Sequence, residues 1–123
     1  FFVIYFPPQD RNRAVSVTES LHNWTFFSNY AHVLICLAES PDARLRDVAD
    51  RVGITERTAF RIIGELEEAG ILERVKEGRR NHYLINKDAH LRHAIEEHCT
   101  VGDLLETVLS KQERAINKSE NQQ

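Results

Sequence analysis

Methionine is absent from this chain of 123 residues, even at position 1, so Phe1 is not taken as the native start. Cysteine is scarce: Cys36 and Cys99 stand far apart and in no paired motif, which excludes a disulfide-built extracellular scaffold. Cys36 lies in an apolar helical run and is expected to be buried as a small hydrophobe. No apolar run approaches the roughly 20 residues of a membrane-crossing helix. Phe1 to Phe6 is apolar but short, lacks a basic start and is stopped by Pro7-Pro8, so it does not read as a secretory signal. A cytoplasmic protein with no membrane partner is expected. The five glycines fall at turns or singly in a helix and form no phosphate-cradling loop. A serine nucleophile elbow and a cysteine with a nearby base are also missing. An enzyme is therefore not expected, and neither is a cofactor.

A large excess of one charge is missing too. The net charge of −3 is not that of a strongly basic nucleic-acid binder, but the charge is segregated. Arg44 to Lys87 carries a net +2, and the remainder carries −5. That is the direction in which DNA binding would need it.

The chain is organised around residues 45–85. Leu45, Val48, Ala49 and Val52 lie at helical spacing and make one apolar stripe. Gly53 follows, where a left-handed C-terminal conformation is usual. Ile54 plugs the angle, and Thr55 is placed to cap a second helix. Ala59, Ile62, Ile63 and Leu66 form that helix's buried stripe, with Ala69 beside them. Arg57, Arg61, Gly64 and Glu68 fall on the opposite face. Gly70 ends the helix, and Leu72 to Val75 and Tyr83 to Ile85 read as paired strands around the basic tip Glu77-Gly78-Arg79-Arg80-Asn81. The pattern predicts a mainly α fold with a small β-hairpin (α+β): a winged helix-turn-helix, with helices flanking a two- to three-stranded sheet.

A helix of that kind fits the DNA major groove, and its N-terminal residues reach base edges. Arg57 and Arg61 are candidates for guanine or phosphate, and Thr55 and Thr58 for phosphate or a base. Phe60 has two readings: tucked into a flank of the core, or offered to thymine methyls. Arg79 and Arg80, with Asn81 and Lys76, suit backbone or minor-groove contact. Alone, arginines on a hairpin tip would be a solvated turn. Beside a helix-turn-helix they are read as DNA contacts.

Leu45 to Ile85, and above all Leu66-Glu67-Glu68-Ala69-Gly70-Ile71-Leu72, resembles the winged-helix domain of prokaryotic transcriptional regulators of the MarR and ArsR type. The resemblance implies a sequence-specific double-stranded DNA-binding regulator. Its recognition helix would be residues 55–69, with Thr55 to Arg61 reading bases, and its wing residues 72–85, with Arg79 to Asn81 as contacts. Phe60 departs from the pattern, since that position is usually polar. Two other readings remain open: a winged helix that contacts protein without DNA affinity, and a regulator gated by a metal or small-molecule effector.

Around this centre, residues 1–20 read as a poorly ordered arm, 21–110 as the domain and 111–123 as a polar tail. A first helix is expected after Ser28, carrying Tyr30, Ala31, Leu34, Ile35 and Ala38 inward with Leu37 alongside. His32 is read as a surface residue. Arg44 and Leu45 are assigned a short strand against the wing. A helix from Ala89 to Cys99 is expected to bury Leu91, Ala94 and Ile95. Capped by Thr100, a last amphipathic stripe (Val101, Leu104, Leu105, Val108, Leu109) is expected to form a homodimer interface. His90, His93 and Glu97 share one face of the post-wing helix, but their spacing misses known zinc motifs. They are weighed as metal ligands and set aside in favour of a solvated helix face.

Overall fold

The computed structural model describes residues 24–121, with side chains described through Lys111. In chain order it contains α1 (Asn29–Glu39), α2 (Leu45–Val52), α3 (Glu56–Glu68), β1 (Leu72–Glu77), β2 (Arg80–Ile85) and α4 (Val101–Asn121). The expected arm at residues 1–20 lies outside the described residues.

Helix α1 is the hub, packing on α2, α3, α4 and β2. Ser28 sits at its N-cap in extended backbone, although its hydroxyl makes no capping bond. The residues it buries are Val33, Leu34, Cys36 and Leu37. The expected stripe is thus out of phase: Tyr30 is exposed, and Ile35 and Ala38 are only partly covered. A helix with partners on several sides buries more than a single stripe, so Val33 becomes fully buried.

The turn between α2 and α3 forms as its residues dictate. Gly53 adopts φ 84°, a left-handed conformation that costs a residue without Cβ little. Its amide donates to the Ala49 carbonyl at 2.8 Å. The Thr55 hydroxyl accepts from the Thr58 amide at 3.1 Å and caps α3. Ala49 and Ala59, both buried, are small enough for the two helices to cross closely. Ala69, expected beside the buried stripe, is instead the exposed C-cap of α3.

The wing is a two-stranded antiparallel hairpin, with Leu72 paired to Ile85, Val75 to His82 and Glu77 to Arg80. Its loop is Gly78-Arg79, with Gly78 at φ 63° and no positive φ at any non-glycine among the described residues. Glycine in the first loop position is the signature of a tight hairpin turn whose twist suits the strands. The expected third strand at Arg44 and Leu45 does not form. Leu45 opens α2 with Arg44 as its N-cap, and the preceding loop reaches β2 through the Tyr83 amide, which donates to the Pro41 carbonyl at 3.0 Å.

The expected helix over Ala89 to Cys99 is absent. The segment is a closed loop of turns whose ends are clamped: Leu91 N–H donates to Cys99 O at 2.9 Å, and Val101 N–H to Ala89 O at 2.8 Å. A helix here would need a core for its apolar stripe, and only Leu91 finds one. Ala94 is exposed, and Ile95 is 80% exposed. Helix α4 then opens with a reciprocal cap: Thr100 Oγ1 accepts from Asp103 N–H at 3.2 Å, and Asp103 Oδ2 accepts from Thr100 N–H at 2.9 Å. It continues to Asn121 through residues expected as a tail, a stretch without glycine or proline to stop it. Val101 and Leu105 are buried in the common core with Leu37, Val48 and Ile62, and no polar or charged residue is buried among the described residues.

Candidate nucleic-acid interface

Helix α3 presents Arg57, Phe60 and Arg61 to solvent, along with the bare backbone of Gly64, within an arc of about 100°. Phe60 is 60% exposed, so its core reading fails: its neighbours Ala59, Ile62 and Ile63 fill the inner face completely.

The candidates on α3 differ in how free they are. Thr55 is engaged as the cap, and its hydroxyl also donates to Thr58 Oγ1 at 2.9 Å, which leaves it little capacity for another acceptor. Thr58 is half-buried. Arg57 is exposed and makes no ion pair among the described residues. Arg61 is engaged. Its guanidinium donates to Tyr30 Oη at 3.2 Å and pairs with Glu65 at 3.3 Å, one turn along the helix. Tyr30 in turn donates its hydroxyl to Glu65. That bond first, and the nearby Arg61 charge second, holds the Glu65 carboxyl below its usual range.

At the wing, Lys76, Arg79 and Arg80 are exposed and Asn81 is half-buried. Arg79, Arg80 and Asn81 line a groove of about 470 Å³ together with Asp42, Ala43, Arg44 and Tyr83. Arg44, expected in a strand, is instead a companion of the wing tip. Arg44, the N-cap of α2, lines this groove together with Arg79 and Arg80. Only its place in the basic stretch 44–87 hinted at this. Arg74, by contrast, is taken up by Glu67 and braces the wing against α3.

The set His90, His93 and Glu97 loses its shared helix face with the loss of the helix. His90 Nδ1–H donates to the backbone carbonyl of Glu97 at 2.8 Å, and His93 Nδ1 accepts from Ile95 N–H at 3.1 Å. A different trio converges beside the tip of the wing. One ligand atom each from Asp42, Glu77 and His82 lies within 4.8 Å of the others. No sequence motif announced it, because Asp42 and His82 are brought together by the fold alone.

Residues 29–76, from the start of α1 to near the end of β1, match the family model of the IclR helix-turn-helix domain. The fold is a winged helix-turn-helix. Solved structures of similar shape include MepR, a transcription regulator of the Staphylococcus aureus multidrug efflux pump MepA (16% identity, 85% of this chain and 71% of that one, TM-score 0.47). Others are the PcaV transcriptional regulator from Streptomyces coelicolor (24%, 80% and 72%, TM-score 0.44) and the AntR antimony-specific transcriptional repressor (21%, 94% and 99%, TM-score 0.49). The comparison with curated proteins gives no match. No helix among the described residues is long and apolar enough to cross a membrane.

Proposed function

We propose that the chain is a transcriptional regulator that binds double-stranded DNA in a sequence-specific manner, with α3 in the major groove and the wing on the backbone or minor groove. The observation that carries this reading is the outward face of α3. Arg57, Phe60 and Arg61 are aligned on the second helix of a helix-turn-helix, with Arg79, Arg80 and Arg44 at the flank. The roles differ by chemistry. Arg57 and Arg61 are suited to base edges, Phe60 to thymine methyls, and the wing arginines with Lys76 and Asn81 to phosphates.

A homodimer fits this reading, since two recognition helices then meet successive major grooves about 34 Å apart. Val101 and Leu105 are occupied within the chain's own core, so the pairing face of α4 is reduced to the half-buried Leu104, Val108 and Leu109. The same reading makes the protein cytoplasmic, and it leaves open a small-molecule effector.

Selection from random duplexes in rounds at two salt concentrations tests the reading. Enrichment of a palindrome with half-sites one helical turn apart is expected. Weak, sequence-blind binding that vanishes at physiological salt would sink it. The exposed Phe60 and the net charge of −3 would then favour a protein partner for α3.

A further inference from the structure

We propose that Asp42, Glu77 and His82 form a binding site for a divalent first-row transition cation beside the tip of the wing. The three residues come from separate places: the turn after α1, the last residue of β1 and the third residue of β2. Their ligand atoms converge within 4.8 Å. The closest pair, His82 Nδ1 and Asp42 Oδ1, stands 2.6 Å apart. A zinc ion with bonds of about 2.0–2.2 Å needs these atoms to part by less than an ångström, roughly.

The charge balance points the same way. Two carboxylates meet here, and among the described residues neither forms an ion pair with a lysine or arginine. This holds although Glu77 stands opposite Arg80 in the hairpin register, and Lys76 and Arg79 are its chain neighbours or nearly so. Asp42 is held by His82 at 2.6 Å, so a dication would take the place of the proton those two share and add charge beside Glu77.

The donor set defines the class of ion. One imidazole nitrogen with two carboxylate oxygens suits zinc, cobalt, nickel or manganese. It lacks the thiolate or thioether that soft copper(I) prefers, and the imidazole disfavours calcium and magnesium. Three protein ligands leave a coordination position to water. The backbone preorganises the site, because the Tyr83 amide, next to His82, holds the Pro41 carbonyl, next to Asp42, at 3.0 Å. A bound ion would join the hairpin that carries Arg79 and Arg80 to the body of the domain.

The test is titration of the full chain, stripped with chelator and dialysed, with Co²⁺ followed by visible absorption and with Zn²⁺ by calorimetry. One ion per chain is expected, with a rise in melting temperature on zinc binding. Glu77→Gln and Asp42→Asn keep size and shape. Each is expected to weaken binding by about tenfold or more, while His93→Ala, in the other histidine-bearing loop, leaves it unchanged. Absence of binding would overturn the proposal. So would binding that survives both substitutions or is lost in His93→Ala. Circular dichroism of each variant separates loss of the site from loss of the fold.

Discussion

Arg61 on α3 donates to the phenolic oxygen of Tyr30 on α1 at 3.2 Å, and the same phenol donates to Glu65. An arginine proposed to contact a base is thereby tied, through one tyrosine, to the carboxylate that competes for it. Glu65→Gln keeps the shape and removes the charge. DNA affinity is expected to rise roughly three- to tenfold at low salt, as for removal of one like-charged competitor on an exposed helix face, and less at high salt. Band shifts at two salt concentrations check this. Unchanged affinity would mean that Arg61 does not contact the nucleic acid.

Arg57 and Arg79 are both exposed, but their expected roles separate. Arg57→Ala is expected to cost about 1–3 kcal/mol and to relax preference at one base pair. Arg79→Ala is expected to weaken all sequences alike and to reduce the salt slope by about one. Affinities for the selected site and a scrambled one, measured across salt, distinguish the two.

On α4, Leu105 is buried and Leu104 is half-buried. Leu105→Ala is expected to destabilise the fold by about 2–5 kcal/mol, measured by urea unfolding. Leu104→Glu is expected to halve the mass seen in sedimentation equilibrium while the helix content of the chain persists. A monomeric parent chain would dispose of the dimer.

Gly64 sits in the middle of α3, and a Cβ built there meets nothing within 4 Å. Gly64→Ala is therefore expected to stabilise the fold by about 0.5–1 kcal/mol through helix propensity alone, a rise of a few degrees in thermal melts. If α3 lies as close to a groove as proposed, the same methyl lowers DNA affinity. Stability and binding then move in opposite directions.

Asp103 has its carboxyl held below the usual range, first by the backbone bond from Thr100 and then by the Thr100 side chain. A depressed acid contributes stability that is complete above its unfolded value, near 3.9, and is lost as pH falls through its folded value. Asp103→Asn is expected to flatten the acid limb of stability below about pH 4, and to leave its slope near neutrality unchanged. Urea midpoints over that range measure it.

Local chemistry made the centre of this fold legible. Gly53 and Thr55 carry the turn in their own residue types, and both occupy the conformations expected of them. What failed depended on partners far along the chain. The phase of α1 follows from having four neighbours, which no periodicity within eleven residues records. The loop from Ala89 to Cys99 has helical spacing but no surface to receive Ile95. Phe60 could not be placed until its neighbours filled the core. Arg44 beside Arg79, and Asp42 beside His82, are juxtapositions across 35 or more residues, and only the packing of the wing on the α1–α2 loop creates them.

The Cys36 thiol is 4% exposed, and burial first of all pushes its pKa up. Thiolate is the reactive form, so an alkylating reagent finds almost none of it while the helices stay packed. Cys99, only half-buried on the clamped loop, is the nearer target. The rate at which Cys36 is alkylated under native conditions therefore counts the openings of the α1 hub, one molecule at a time, without denaturant. The protein carries a chemical clock for its own breathing, with a second thiol outside the core as the reference.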